Sequence, residues 1–282
     1  MVGIPKTMDN DILWAWQSFG FISAVEQAKA VVRALHTEAR SNPRLGVIQL
    51  FGTSSGFVAI HTALGSGVCD AVLIPEVPFT LRELSQHICN LLQERDQSGP
   101  GEMSPHGIVL MSEAAVPIDW KDYVNDEKHY PELHLSKEER EALQTYEDRD
   151  RQVIGQTPDH LRSASLRLVS GVLSQDIRNI PGDGYWSRFR VFTNEPRHII
   201  RAVEPSVADI ILAQRLGTLS VDGAMAGYHE FMVSQWLTEY VFVPLELVVL
   251  GRKRVPQRGM FWKTVVATTG QAEPEEGRSR AS

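Results

Sequence analysis

Short apolar runs alternate with helical segments along the first 111 residues, and this alternation limits the chain to few folds. Two of the helical segments, 14–40 and 81–94, are amphipathic, and the third, 57–65, is rich in small residues. The apolar runs are residues 45–51, 71–76 and 107–111. Runs of this length without polar alternation are typical of strands buried on both faces of a sheet. The order therefore predicts an α/β fold around a parallel sheet.

The second half of the chain is less regular. Residues 119–160 are rich in charge and poor in branched aliphatic side chains, so we expect an exposed insertion that is helical over 137–146. The pattern then predicts helices and strands in turn, over 161–180, 186–192, 205–227 and 240–250. The polar residues 271–282 are expected to be disordered.

Composition excludes several classes of protein. The net charge of −7 argues against nucleic acid as the main partner, since phosphate backbones are bound by basic faces. No apolar run approaches the ~18 residues of a membrane span, and the first residues contain no signal-peptide apolar segment. Cys69 and Cys89 have neither metal-binding nor redox spacing. We therefore expect a cytoplasmic protein with no nucleic-acid or membrane partner.

The first candidate site is the run Lys6-Thr7-Met8-Asp9-Asn10-Asp11. Two carboxylates at this spacing suit a divalent metal, or a base beside a metal. Thr7 could bind a phosphoryl oxygen, and Lys6 could neutralise one. The alternative is an ordinary turn stabilised by Asp and Asn side chains.

Two further candidates follow predicted strands. Residues 52–56, Gly-Thr-Ser-Ser-Gly, lie between a strand and a helix, where backbone N–H groups can bind an anion or glycines can simply allow packing. Ser112 and Glu113 follow the strand at 107–111, at the edge where open α/β sheets bind ligands. Glu113 could accept hydrogen bonds from sugar hydroxyls, or the pair could cap a helix.

A basic cluster, residues 197–201, precedes the long helix predicted over 205–227. Its two arginines and one histidine could hold a phosphate dianion. The alternative is a solvated basic turn.

Taken together, these segments resemble the phosphofructokinase family. The most specific likeness is the run Gly3-Ile4-Pro5-Lys6-Thr7-Met8-Asp9-Asn10-Asp11, which is similar to the family's active-site loop. Other segments resemble family motifs in the expected order, namely 18–24, 44–56, 74–76, 112–113, 198–201, 224–228 and 269–271. The resemblance covers nearly the whole chain, and it implies a parallel-sheet phosphofructokinase-like fold with two interleaved α/β domains.

The resemblance implies phosphoryl transfer to O1 of fructose 6-phosphate in glycolysis. Asp9 would accept the proton of the 1-hydroxyl, and Thr7 would contact the transferring phosphoryl group. Asp11 would hold Mg²⁺, directly or through water. Residues that would bind the sugar phosphate are Glu113 for the fructose hydroxyls and His198 and Arg201 for the 6-phosphate and sugar.

Arg44 falls where the family reaches a neighbouring subunit's 6-phosphate, so the resemblance implies a homo-oligomer, a dimer or a tetramer. The family's Met-Gly-Arg motif reads Phe51-Gly52-Thr53 here. Phe51 keeps an apolar wall, but Thr53 removes a guanidinium near the transferring group. Loss of such a donor lowers rates by ~10²–10³.

The phosphate donor is left open between ATP and pyrophosphate. In the family a lysine at the position of Lys6 goes with pyrophosphate use, although it also occurs in ATP users. ATP is favoured as the commoner case among sequences with this type of C-terminal half. The family's Gly-Gly-Asp donor loop has no counterpart in this sequence.

We therefore expect a first domain that is truncated. Residues 1–19 and 201–250 would belong to the donor domain, and 20–200 to the sugar-phosphate domain with its charged insertion. Residues 251–270 would cross back before the tail. The competing hypothesis is a catalytically impaired chain that binds sugar phosphate or forms oligomers.

Overall fold

The computed structural model describes residues 1–97, 104–126, 128–149, 151–152, 156–182 and 184–273. Within this part of the chain, four parallel strands form the larger sheet, in the order β3 (Ala71–Leu73), β4 (Gly107–Ser112), β2 (Arg44–Leu50) and β5 (Arg190–Asn194). A smaller sheet has the order β1 (Val2–Gly3), β6 (Phe231–Trp236) and β7 (Glu239–Pro244). The predicted α/β class with a parallel sheet is confirmed.

The helices connect and cover these strands. They are α1 (Phe21–Ser41), α2 (Phe57–Ser66), α3 (Leu81–Gln97), α4 (Trp120–Val124), α5 (Lys137–Asp148), α6 (Asp159–Arg178), α7 (Arg197–Arg201), α8 (Val207–Met225), α9 (Leu245–Val248) and α10 (Met260–Thr269). A single 3₁₀ turn, Trp186–Arg188, precedes β5. Each described helix is too short or too polar to cross a membrane.

Both faces of the larger sheet are buried along β2, β3 and β4, which explains the apolar runs in the sequence. On one face, Leu45 and Val47 of β2 and Val109 of β4 join a cluster with side chains of α3 and α6. On the other face, Ile48 and Leu110 join a cluster with side chains of α1, α2 and α10. Alternate residues of β2 thus enter different cores, and its positions are apolar or glycine apart from Arg44 at its start and the buried Gln49.

Three element boundaries differ from the predictions. The first long helix begins at Phe21 rather than near residue 14, because Gly20 adopts the left-handed conformation with φ 94°. The strand predicted over 186–192 is a 3₁₀ turn followed by β5. The strand predicted over 240–250 ends at Pro244, where α9 begins. Elements that the sequence pattern did not reveal are β1, β6, α4, α7, α9 and α10.

We predicted that residues 119–160 form an exposed insertion. This prediction is wrong for several side chains of the stretch, which are buried. Its helix α5 begins with a capping box in which Ser136 and Glu139 bond each other's backbone N–H. Leu143 and Tyr146 of that helix are buried in the cluster beside α6. The stretch therefore covers one face of the larger sheet.

The two ends of the described chain are held by different sheets. The edge strand β1 pairs in parallel with β6, and the antiparallel hairpin β6–β7 completes the smaller sheet. Gln271 binds the backbone of Val72 in β3 through its side-chain amide, at 2.7 and 3.2 Å. The predicted disorder of the tail concerns residues that, from 274 onward, lie outside the described part.

Candidate active site

The loop that follows β1 closes on itself through short hydrogen bonds. The Asp9 backbone N–H donates to Thr7 Oγ1 at 3.1 Å, and the Ser18 hydroxyl donates to the Thr7 carbonyl at 2.6 Å. Asn10 adopts a left-handed conformation with φ 55°, which asparagine tolerates better than most residues. Its Oδ1 accepts the Ser18 N–H at 3.0 Å. The loop therefore has a defined backbone path between Thr7 and Ser18.

Asp9 and Asp11 line one cavity of about 530 Å³ between the two sheets. Thr7 and Thr53 line the same cavity, together with Arg252. Its other walls are formed by Gly3, Ile4, Pro5, Ile12, Gln156, Met232, Leu245, Val248 and Gly251. The structure thus brings together side chains from the two ends of the chain and from the turn after β2.

The charge state of Asp9 is set by its surroundings. Burial raises its pKa to about 6, and the neighbouring carboxylates of Asp11 and Glu113 act in the same direction. The guanidinium groups of Arg252 and Arg201 oppose this rise. A carboxylate with a pKa in this range can accept a proton near neutral pH.

Asp11 is buried and paired. Its Oδ2 lies 2.7 Å from Arg252 Nη1, and its backbone carbonyl accepts the Lys253 N–H at 2.8 Å. In the described part of the chain, no three His, Cys, Asp or Glu side chains are grouped to hold a metal ion. Among the described residues that line the cavity, the carboxylates are those of Asp9 and Asp11.

Glu113 lies directly after β4, at the carboxyl edge of the larger sheet. Its Oε1 accepts hydrogen bonds from Thr157 Oγ1 at 3.1 Å and from Thr53 Oγ1 at 3.4 Å. Arg197 Nη2 lies 3.8 Å from its Oε2. Burial raises the pKa of Glu113, while Thr157 and Arg197 oppose the rise. A carboxylate in this setting can accept hydrogen bonds from ligand hydroxyls.

The turn after β2 brings an aromatic wall against the basic helix α7. The guanidinium carbons of Arg197 and Arg201 lie 5.1 and 4.6 Å from the centroid of the Phe51 ring, within the range of cation–π contacts. His198 is exposed on the same helix. The structure therefore connects α7 to the site through Phe51 and Glu113.

Two predicted site residues lie outside this group. Arg44 is at the start of β2, whereas the cavity lies near the other end of that strand. The two ends are roughly 20 Å apart, since six residues rise ~3.3 Å each. It pairs with Glu38 at 3.5 Å and lies over the Phe192 ring. Lys6 is exposed, with its backbone bridged to Phe19.

Three residues of the site were not named in the sequence analysis, and a fourth, Arg197, was named for another contact. Thr157 belongs to the charged stretch that was interpreted as an insertion, and Arg197 was considered only as part of a basic cluster. Arg252 and Lys253 belong to the run Arg252-Lys253-Arg254, which was not singled out. That basic run, 241 residues after Asp11, was the available signal.

Comparisons with known proteins agree on one family. A sequence model described as phosphofructokinase matches residues 1–224. The ATP-dependent 6-phosphofructokinase of Borreliella burgdorferi is 30% identical over 272 residues, covering 96% of this chain and 54% of that protein. The enzyme of the same name from Amycolatopsis methanolica is 29% identical over 276 residues, covering 96% and 52%. The chain spans about half the length of these curated relatives.

Solved structures share the fold. The pyrophosphate-dependent phosphofructokinase from Marinobacter aquaeolei matches with a TM-score of 0.61 and 16% identity, covering 90% of this chain and 54% of that chain. The phosphofructokinase from Saccharomyces cerevisiae matches with a TM-score of 0.60 and 17% identity, covering 94% and 27%. At such identities the likeness shows the fold alone, and the phosphofructokinase-like fold expected from the sequence is confirmed.

Proposed function

Because this chain belongs to the phosphofructokinase family, we propose that it transfers a phosphoryl group to O1 of fructose 6-phosphate, giving fructose 1,6-bisphosphate in glycolysis. The observation that carries the proposal is the cavity where Asp9, with a pKa raised to about 6, lies beside Asp11, Thr7 and Thr53. A base of this pKa beside a second carboxylate suits the deprotonation of a sugar hydroxyl.

Asp9 is the proposed base in this reaction. It takes the proton of the 1-hydroxyl as O1 forms its bond to the phosphorus and the donor's leaving group departs. Thr7 contacts the transferring phosphoryl group. The closed loop holds both side chains at one wall of the cavity, which supports in-line positioning.

The donor set of the cavity fits Mg²⁺. This ion is usually held by one or two carboxylates together with waters and substrate phosphates, and Asp11, with Asp9 beside it, offers such oxygens. When bound, Mg²⁺ neutralises negative charge on the phosphates. Asp11 would hold it with the carboxylate that Arg252 orients.

The sugar phosphate is proposed to bind between β4 and α7. Glu113 accepts hydrogen bonds from fructose hydroxyls, and His198 and Arg201 bind the 6-phosphate. The contact of Arg201 with Phe51 supports this assignment, because it connects the basic helix to the turn beside Glu113. Gly52 keeps that turn close to β4. Arg44 is proposed to reach a neighbouring subunit's 6-phosphate in a homo-oligomer, a dimer or a tetramer.

ATP is the proposed donor rather than pyrophosphate. The curated relatives are named ATP-dependent, whereas a solved relative is pyrophosphate-dependent. Lys6 is exposed beside the loop and is proposed to meet the donor's phosphate. We assign residues 1–19 and 201–250 to the donor side and 20–200 to the sugar side, an assignment that the two separate sheets support. A cytoplasmic location is part of the proposal.

A second candidate is a catalytically impaired chain that binds sugar phosphate. Thr53 stands where the family has arginine, and its hydroxyl donates to Glu113 instead of presenting a cation to the cavity. In this case fructose 6-phosphate binds but is not turned over.

A coupled assay with fructose 6-phosphate, Mg²⁺ and either ATP or pyrophosphate tests the proposal. We expect turnover with ATP, and Asp9→Ala should lower kcat by roughly 10²–10⁴-fold because it removes the general base. Asp222→Ala, at an exposed position of α8, is the control. Calorimetric binding of fructose 6-phosphate without turnover by any donor would instead establish the impaired chain.

A further inference from the structure

We call residues 7–18 the Asp9 loop. A short strap, residues 252–257, runs from this loop to the larger sheet. At its first end, Arg252 forms an antiparallel bridge with Ile12 and an ion pair with Asp11. Lys253 donates its backbone N–H to the Asp11 carbonyl at 2.8 Å. The strap therefore contacts both the backbone and a side chain of the loop.

The other end of the strap is anchored in the protein interior. Val255 is buried, and its N–H donates to Glu76 Oε1 at 3.0 Å. The same oxygen accepts the Gly56 N–H at the start of α2, also at 3.0 Å. Gln257 donates its side-chain amide to the Glu76 carbonyl. Through Glu76, the strap is joined to the end of β3 and to α2.

The ammonium group of Lys253 is the main contact between strap and loop. It donates to the carbonyls of Ala15 and Trp16, at 2.6 and 3.0 Å, and to Asn10 Oδ1 at 3.0 Å. A lysine ammonium has three N–H donors, so all of them are used. The group also lies 5.0 Å from the centroid of the Phe57 ring. Three contacts to one loop leave no donor for a phosphate ligand.

The direction of the Asp9 carboxylate depends on this loop backbone. Among the described residues, the hydrogen bonds of Asp9 are made by its backbone, from its N–H to Thr7 and to its carbonyl from Ser55. Nothing in that part of the chain binds the carboxylate oxygens directly. The position of the carboxylate therefore depends on the contacts of the loop backbone, and Lys253 provides contacts at Asn10, Ala15 and Trp16.

We propose that Lys253 is a positioning residue that fixes the Asp9 loop by its three hydrogen bonds to Asn10, Ala15 and Trp16. This role rests on the proposed function, because Asp9 is the base of that reaction. Lys253 holds the loop from the strap and does not touch substrate.

Hydrogen–deuterium exchange of the 282-residue chain tests the contact without any need for activity. In Lys253→Met, which keeps the apolar stem over Phe57, amides of residues 8–18 should exchange roughly tenfold faster or more, because charged hydrogen bonds are lost. Amides of β2 serve as the internal reference. Lys253→Arg should restore most of the protection, and the exposed Lys263→Met is the matched control.

Unchanged exchange of the loop in folded Lys253→Met would overturn the proposal, as would an equal rise in the loop and in β2. If Lys253→Met does not fold, Lys253→Gln, which keeps an amide donor, is compared with the wild type in the same way. Its loop should then exchange faster than the wild-type loop while β2 does not, and equal rates would again count against the role.

Kinetics separate this proposal from the proposed function. If the chain phosphorylates fructose 6-phosphate, Lys253→Met should lower kcat by roughly 10–100-fold with KM for the sugar nearly unchanged, because a misplaced base impairs the chemical step. A change in KM alone would contradict the positioning role. If the wild-type chain has no activity, the proposed function fails, while loop exchange still decides whether Lys253 fixes the loop.

Discussion

At the scale of single residues, Asp9 is subject to two opposing demands. Its proposed role needs a charged carboxylate near neutral pH, whereas burial and the charges of Asp11 and Glu113 favour the neutral form. Its pKa of about 6 lies above the ordinary 3.8. Below about pH 4 the group is protonated in both the folded and the unfolded chain. Between about pH 4 and pH 6 the folded chain keeps this proton while the unfolded chain loses it, so the free energy of unfolding decreases as the pH rises through this range.

Asp9→Asn should therefore stabilise the protein while inactivating it. Because Asn stays neutral, we expect the free energy of unfolding at pH 7.5 to rise by about 1–2 kcal/mol, and to change little at pH 4. Urea denaturation at both pH values measures this, with exposed Asp222→Asn as the control. The rate of the wild-type reaction should fall as the pH drops below about 6. An equal effect of Asp9→Asn at both pH values would argue against a raised pKa.

At the scale of elements, the turn after β2 determines how closely the site can pack. Gly52 has φ 147°, a conformation that side chains with a Cβ rarely adopt. A Cβ at this position would lie 2.3 Å from Ser112 Oγ and from the Ser55 carbonyl oxygen. The serine hydroxyl donates to the Gly52 carbonyl at 2.8 Å, which joins β4 to the turn. The absence of a side chain thus allows Phe51, Thr53 and Glu113 to lie at one edge.

Gly52→Ala should destabilise the protein by about 2–4 kcal/mol, because it adds a steric clash to backbone strain. Gly67→Ala is a matched control, since Gly67 also has a positive φ of 66° but has open space around its Cβ position. We expect the control to cost about 1 kcal/mol. Chemical denaturation compares the two, and equal losses would show that the contact with Ser112 and Ser55 is unimportant.

At the scale of the whole molecule, the smaller sheet has much less core than the larger one. Its buried cluster comprises Leu212, Leu216, Phe231 and Val233. The opposite face of α8 is apolar as well. At 100° per residue, its exposed apolar side chains lie within about 60° of one direction, and these are Val207, Ile210, Ile211, Val221 and Met225. A helix with apolar side chains on both faces is typical of a buried helix, yet here one face is exposed.

We expect this face to promote self-association of the 282-residue chain. The double variant Ile210→Lys, Val221→Glu leaves the net charge unchanged and should lower the concentration dependence of the apparent mass in static light scattering. The control pair Gln97→Lys, Gln144→Glu places the same charges at exposed positions of α3 and α5. If both pairs lower association alike, added charge explains the effect rather than the α8 face.

The elements of the larger sheet could be predicted because their signals are local. A strand covered on both faces needs an unbroken apolar run, and a covering helix needs an apolar stripe, so β2, β4 and α3 are visible in the pattern. The start of α1 at Phe21 was missed because the helical pattern in the sequence extends before that residue. The left-handed conformation of Gly20 ends the preceding segment there. The elements β6 and α10 were missed although they are as long as β4 and α2, which were predicted.

The sequence by itself determined the α/β class, the parallel sheet and, through the motif around Asp9 and Asp11, the family. The assigned roles of the site residues remain predictions. Only the tertiary structure decided that Lys253 and Arg252 meet the Asp9 loop, that Thr157 and Arg197 meet Glu113, and that Asp9 has a raised pKa. The physical reason is that burial and charge depend on atoms brought together from distant parts of the chain, whereas periodicity records only neighbours along it.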